Sequence, residues 1–163
     1  MASIFSGYGG IYLDPDVLVI KSFDPLRQYS VTFGRENNFG VCNGIIIAER
    51  GAPFLRLLRE QYHSYIGVQE MWAQKSVINT DLLARLYPHL VHIEDTTLNF
   101  PDYRHRVWIY NGWYNWTQNY AIHLWMRLWP MHLRPNGFED VLIKKTTFAE
   151  VARRIIFGIH GLR

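Results

Sequence analysis

The chain has 163 residues, a length typical of one domain, and 48% of them are hydrophobic, which is enough for an ordinary globular core. Its net charge of +3 is mild, and its aromatic residues do not alternate with lysine and arginine, which argues against a nucleic-acid-binding protein. A single cysteine, Cys42, excludes an internal disulfide. The aromatic segment 107–129 is long enough to span a membrane, but its asparagine, glutamine, histidine and arginine residues argue against a span.

Short strands are predicted in the first third of the chain. Residues 11–13 form an apolar strand that ends at two carboxylates, and the apolar stretch continues over 17–20. The polar, glycine-ended segment 35–40 is predicted to be a loop. The apolar run 41–48, which contains consecutive isoleucines, is predicted to be a buried strand.

Two helices are predicted next. The first begins at Pro53, because proline suits the first turn of a helix and apolar residues follow at helical spacing. For the second helix, Thr80 is the predicted N-cap, and the helix should end near Tyr87 because Pro88 follows. A short strand is predicted over 90–93.

The last predicted element is an amphipathic helix near the C-terminus. Thr147 and Glu150 are spaced as a capping box. The predicted apolar stripe consists of Phe148, Val151, Ala152, Ile155, Ile156 and Ile159.

The most informative segment is Tyr8–Asp16, where two glycines and a short apolar strand precede the sequence Asp-Pro-Asp. Residues two apart in a strand point the same way, and Pro15 favours an extended backbone at Asp14, so Asp14 and Asp16 should converge. Converging carboxylates are suitable ligands for Mg²⁺ or Mn²⁺. The alternative is an ordinary solvated turn, since aspartate and proline are both common in turns.

This segment resembles the DXD sugar-binding motif of a group of glycosyltransferases. The group includes α-1,4-galactosyltransferases, α-1,4-N-acetylglucosaminyltransferases and the initiating α-1,6-mannosyltransferases of fungi. Their pattern Gly-Gly-Ile-Tyr-Leu-Asp-x-Asp is matched from Gly9 to Asp16. Segments 43–48, 53–55, 82–85 and 121–125 also resemble the family, in the same order. The resemblance covers roughly 7–129 of a single domain 1–163 and leaves 130–163 as a C-terminal extension with an amphipathic helix.

The resemblance implies an α/β fold of the GT-A type, an open sheet flanked by helices. It implies a retaining, metal-dependent transfer of a hexose from a nucleotide-sugar, most readily a UDP-sugar, to a hydroxyl of a glycan, glycolipid or glycoprotein. The implied cofactor is Mn²⁺ or Mg²⁺, and the implied location is the Golgi.

The resemblance also implies roles for particular residues. Asp14, Asp16 and His123 would hold the metal, with Asp16 as the direct ligand. Asp14, Asp16 and Asp81 would be catalytic. The implied donor-binding residues are Gly9, Gly10, Tyr12, Asn43, Gly44 and Trp125.

Several of these residues also have purely structural explanations. His123 fits a histidine packed beside an aromatic cluster, and Trp125 fits a core residue. Asn43 fits a residue that satisfies a backbone group at a strand entry, and Asp81 fits an acidic residue that interacts with a helix dipole.

The sequence departs from the family in two places. The chain starts almost at the double glycine, so we expect the preceding strands and the nucleotide-base site to be missing and donor binding to be weak. Asn79 and Thr80 stand where the family often has Gly-Pro. The alternative functions are a non-catalytic glycosyltransferase-like fragment that acts as a binding module, and a cation-binding module unrelated to sugars.

Overall fold

A four-stranded mixed sheet forms the first part of the protein. The computed structural model describes residues 7–64, 74–129 and 137–158. The strands of the main sheet are β1 (Gly10–Leu13), β3 (Val31–Glu36), β4 (Gly40–Ala48) and β5 (His92–Glu94), and those of a second, two-stranded sheet are β2 (Val17–Val19) and β6 (Ala121–His123). The main sheet has the order β1-β4-β3-β5, in which β3 and β5 are parallel and the other pairs are antiparallel.

The buried strand predicted over 41–48 is confirmed as β4, one of the two inner strands of the main sheet. Six of its nine residues are hydrophobic or cysteine, and eight are buried. The loop predicted over 35–40 is wrong at both ends. Arg35 and Glu36 belong to β3, and Gly40 begins β4, so only a short 3-10 turn separates the two strands. Polar residues can lie in β3 because the ladder is formed by backbone groups, with Glu36 paired to Gly40.

Helices flank the main sheet. They are α1 (Pro53–Ser64), α2 (Asn79–Leu86), α3 (Val107–Tyr110), α4 (Phe138–Ile143) and α5 (Thr147–Phe157). The start of α1 at Pro53 and the end of α2 just before Tyr87 are confirmed. No helix among the described residues is both long and apolar enough to cross a membrane.

Both predicted helix caps are wrong by one position or more. The chain enters α2 from a π-helical turn, Gln74–Ile78, and Thr80 lies inside α2, where its hydroxyl donates to the Ser76 carbonyl at 2.9 Å. At α5 the N-cap is Thr146, which accepts a hydrogen bond from the Ala149 N–H. Thr147 instead accepts from the Tyr114 N–H at 2.8 Å, which joins α5 to the preceding loop.

The predicted stripe of α5 is only partly buried. Val151 and Ala152 are buried, whereas Ile155 and Ile156 are about half exposed. Ile159 lies outside the described residues.

Three hydrophobic clusters form the core of the described residues, and two of them contain most of its large aromatic side chains. Phe33 of β3 and Phe54 of α1, both fully buried, pack edge to face with ring centroids 5.8 Å apart on one side of the main sheet. A second cluster contains most of the buried tryptophans, among them Trp116 and Trp125, together with Ile122 of β6. This aromatic cluster fixes β6, the strand that ends at His123.

Candidate metal centre

The two aspartates lie in the turn between β1 and β2. The Val17 N–H donates to the Asp14 carbonyl at 3.1 Å, which closes the turn, and the Asp14 N–H donates to the Gly44 carbonyl of β4 at 2.8 Å. The two aspartates were predicted to converge because they alternate along a strand, and this reason was wrong, since they lie in a turn. Both side chains nevertheless line one cleft, so the turn does not leave them in bulk solvent.

Pairing between β2 and β6 carries His123 to the aspartates. Val17 is the register partner of His123, and the Leu124 N–H donates to the Asp16 carbonyl at 2.8 Å. The His123 Nε2 atom consequently lies 3.1 Å from Asp16 Oδ1 and 3.8 Å from Asp14 Oδ2. Residues more than a hundred positions apart in sequence are thus neighbours in space.

The spacing of these three side chains suits one divalent cation. Their candidate ligand atoms all lie within 4.8 Å of one another. Ligands held at about 2.1 Å from a cation in octahedral geometry lie about 3 Å apart, so small side-chain movements would complete such a site. Two carboxylates fit Mg²⁺ or Mn²⁺, and an imidazole fits a transition metal better than Mg²⁺. The triad is therefore compatible with a divalent metal.

Hydrogen bonds hold each carboxylate in place. Asp16 accepts from the Met126 N–H at 2.9 Å through Oδ2, while Oδ1 faces His123. The hydrogen bond with His123 is the largest of the effects that lower the pKa of Asp16, and the Met126 N–H acts in the same direction. The Tyr12 hydroxyl donates to Asp14 Oδ1 at 2.6 Å. Burial, together with this hydrogen bond and the nearby negative charge, raises the pKa of Tyr12 to about 12.

Gly44 gives the triad its room. A Cβ atom at this position would lie 3.0 Å from His123 Cε1 and 3.1 Å from Asp14 Oδ2. Real Cβ atoms seldom make contacts this short, so any other residue would push against both side chains. On the far side of the imidazole, Cys42 Sγ lies 3.9 Å from His123 Nδ1 and accepts from the Gly44 N–H at 3.4 Å.

Trp125 supports the imidazole from one face. Its ring centroid lies 3.9 Å from that of His123, and its Nε1–H donates to the Pro101 carbonyl at 3.0 Å. Its backbone is left-handed, with φ of 54°, a conformation that non-glycine residues seldom adopt. This residue is therefore both part of the aromatic core and part of the site, so the two interpretations of Trp125 are compatible.

The cleft beside the triad has a volume of about 720 Å³. Its lining residues are Asp14, Pro15, Asp16, Glu36, Phe39, Tyr103, His123, Trp125, Arg127 and Leu128. Glu36, Phe39, Tyr103 and Arg127 were not predicted as site residues. The available signal for Glu36 was an acidic residue close behind a short apolar stretch. Glu36 was overlooked because it lies in the segment that was assigned to a loop.

Other predicted site residues lie elsewhere among the described residues. Asn43 connects two helices, since its amide donates to the Tyr62 hydroxyl at 2.8 Å and its carbonyl accepts from the Thr80 hydroxyl at 3.3 Å. Asp81 forms ion pairs with Arg35 at 3.1 Å and Arg85 at 2.7 Å. Neither residue lines the cleft, so both have a structural explanation in the fold.

Gly10 begins β1 and Gly9 directly precedes it, and neither residue lines the cleft. Gly9 has φ of 68°, and a Cβ atom there would lie 2.6 Å from the Arg50 backbone nitrogen. The close approach of the two chain segments is the reason that the fold requires this glycine.

Comparison with known proteins gives two partial similarities. No protein-family model matches the chain. A stretch of 95 residues, 52% of the chain, is 37% identical to Glucan organizing enzyme 1 of Cryptococcus neoformans var. grubii and covers 25% of that protein. A stretch of 48 residues, 29% of the chain, is 42% identical to Inositol phosphoceramide mannosyltransferase 3 of Schizosaccharomyces pombe and covers 14% of that protein.

The matched stretches thus span a quarter or less of these relatives. The matched part of the chain is therefore similar to one protein named as a glucan organizing enzyme and to one named as a mannosyltransferase, and the structure has a mixed sheet flanked by helices and a triad compatible with a divalent metal.

Proposed function

We propose that the chain carries the donor-binding site of a metal-dependent, retaining glycosyltransferase with a GT-A-type fold. The reaction would transfer a hexose from a nucleotide-sugar, in the first instance a UDP-sugar, to a hydroxyl of a glycan, glycolipid or glycoprotein. The observation that carries the proposal is the meeting of Asp14, Asp16 and His123 in one cleft, since their ligand atoms lie within 4.8 Å of one another. A Golgi location and the division into 7–129 and 130–163 belong to the same proposal, through the resemblance to glycosyltransferases.

In the proposed site Asp14, Asp16 and His123 hold Mn²⁺, or less favourably Mg²⁺. When bound, the cation supplies positive charge beside the donor's diphosphate, which has to carry additional negative charge as it leaves. Tyr12 fixes one oxygen of Asp14 and the Met126 N–H fixes one oxygen of Asp16. Each carboxylate therefore keeps its second oxygen for the cation without a large rearrangement.

Arg127 is a further cleft residue with a role in the proposed chemistry. Arg127 lies at the exposed edge of the cleft, where its guanidinium can bind phosphate oxygens. The bond between the anomeric carbon and the diphosphate oxygen breaks, and the acceptor's hydroxyl oxygen bonds to the anomeric carbon. The hydroxyl proton passes to the departing diphosphate, so the reaction needs no separate strong base.

Calorimetric titration of the chain with Mn²⁺, followed by UDP in the presence of Mn²⁺, tests the proposal. We expect one Mn²⁺ per chain, and we expect Asp16→Asn to weaken its binding at least about tenfold, a loss found even for residues that only support a metal ligand. Asp24→Asn is the matched control, because Asp24 is an exposed aspartate that contacts Ser22 and Arg27, away from the cleft.

Equal Mn²⁺ affinity in the Asp16→Asn variant and the wild type would refute the metal site. Mn²⁺ binding without even weak Mn²⁺-dependent UDP binding, or UDP binding without turnover of any nucleotide-sugar in a donor screen, would favour a cation-binding or a non-catalytic module.

A further inference from the structure

Glu36 is a buried carboxyl group on the wall of the cleft, outside the metal triad. It is the last residue of β3, only 5% of its surface is exposed, and it lines the same cleft as Asp14, Asp16 and His123. It is not a member of the candidate metal cluster. A buried acidic residue requires an explanation, because removing a carboxylate from water is costly unless it is paired.

Among the described residues, no lysine or arginine forms an ion pair with Glu36. Its surroundings are the Cys42 thiol, the imidazole of His123 and the carboxylate of Asp102. Burial is the main reason that the pKa of Glu36 is raised to about 7. Near neutral pH the group can therefore both donate and accept hydrogen bonds.

Aromatic rings stand beside this carboxyl group in the cleft. Phe39 and Tyr103 pack edge to face with centroids 5.8 Å apart, and Tyr103 packs in the same way against Trp125 at 6.5 Å. All three residues line the cleft together with Glu36. A largely apolar wall with a small number of placed polar groups is the usual composition of a small-molecule site.

We propose that Glu36, Phe39 and Tyr103 form a sugar subsite, in which Glu36 hydrogen-bonds pyranose hydroxyls and the two rings pack against the C–H face of the sugar. The choice of a sugar as the ligand rests on the proposed glycosyl transfer. Pyranoses have apolar C–H faces and hydroxyls that both donate and accept, which is the pattern that this wall presents. Glu36 is thus a substrate-binding residue in the same cleft as the cation site.

Saturation-transfer NMR with methyl α-D-mannopyranoside, methyl α-D-glucopyranoside and methyl α-D-galactopyranoside tests the subsite without a nucleotide. We expect at least one of these glycosides to bind the wild-type chain. Glu36→Ala should weaken that binding about tenfold or more, because a hydrogen bond to a carboxyl group is lost. Glu36→Gln should weaken it less, since an amide still donates and accepts. Phe39→Ala should weaken it without a change in Mn²⁺ affinity.

Glu60→Gln is the control, because Glu60 is an exposed carboxylate on α1. Thermal unfolding of each variant establishes that it is folded, and if Glu36→Ala is not, the isosteric Glu36→Gln variant decides. Wild-type affinity in a folded Glu36 variant, or no glycoside binding by the wild type, overturns the subsite.

Failure of the subsite can be distinguished from failure of the proposed function. If the wild-type chain binds neither Mn²⁺ nor UDP in the titrations described above, but binds a glycoside in a way that depends on Glu36, the transfer reaction is refuted and the subsite is supported. The reverse result would refute the subsite alone.

Discussion

Replacing Glu36 with glutamine should change how the stability of the protein depends on pH. The pKa of Glu36 rises from 4.5 to about 7 on folding, chiefly because the group is buried. Between these two values the folded protein binds more protons than the unfolded chain, so the free energy of unfolding falls as the pH rises. A shift of about 2.5 pH units corresponds to about 3 kcal/mol at 1.36 kcal/mol per unit, as an upper figure.

Glutamine has nearly the same shape as glutamate and does not titrate. The free energy of unfolding of the Glu36→Gln variant therefore does not show this fall as the pH rises. Below about pH 4.5 the carboxyl group is neutral in both states of the wild type, and its contribution is constant. We therefore expect the difference in unfolding free energy between variant and wild type to shift in favour of the variant by about 3 kcal/mol from pH 4.5 to pH 8.

Urea unfolding followed by tryptophan fluorescence at pH 4.5, 5.5, 6.5, 7.5 and 8 measures this difference. The groups that face Glu36 are Cys42, His123 and Asp102. Comparison with Glu60→Gln removes effects shared by all carboxylates. A difference between Glu36→Gln and the wild type that stays constant within about 0.5 kcal/mol across the range would refute the reasoning.

Three further predictions follow from the packing. Gly44→Ala should lower Mn²⁺ affinity in calorimetric titration and cost about 1–3 kcal/mol of stability, because its Cβ atom would lie 3.0 Å from His123 Cε1; unchanged values of both would contradict the tight fit. Thr146→Ala should cost about 1 kcal/mol in urea unfolding, since Thr146 caps α5, and an equal loss in Thr147→Ser, which keeps the hydroxyl, would argue against that assignment. Phe54→Ala should cost about 3–5 kcal/mol in the same assay, because its ring is fully buried against β3; a loss under 1 kcal/mol would show that the site collapses around the missing ring.

Elements with a strong local signal could be predicted from the sequence. The isoleucine-rich β4 and the proline-initiated α1 are of this kind, because burial and the fixed φ of proline act on the segment itself. The strand β3 was not predicted, and Arg35 and Glu36 were assigned to a loop, since the polar end of this strand is held by cross-strand pairing that no local pattern reveals. The predictions of the helix caps were wrong for a similar reason. Adjacent threonines offer the same chemistry, and tertiary contacts decide which one caps the helix.

The candidate site could be predicted only in part. The resemblance brought together Asp14, Asp16 and His123, and the structure places these three side chains side by side. It did not bring in Glu36, whose place in the cleft depends on how β3 packs. Asp81 was predicted to be catalytic through the resemblance. Its side chain instead forms ion pairs with two arginines, and these contacts lie away from the cleft. The roles of all these residues in binding and catalysis stay predictions.

The contact between Cys42 and His123 offers an acceptor to the imidazole tautomer that a metal bound through Nε2 would require. With no cation, Nε2 carries a hydrogen when it donates to Asp16 Oδ1 at 3.1 Å. To coordinate a metal through Nε2, the ring must keep its hydrogen on Nδ1 instead, where Cys42 Sγ lies 3.9 Å away as the acceptor. Metal capture would therefore be a tautomer exchange, in which the imidazole gives up a hydrogen bond to a carboxylate and gains one to a buried sulfur.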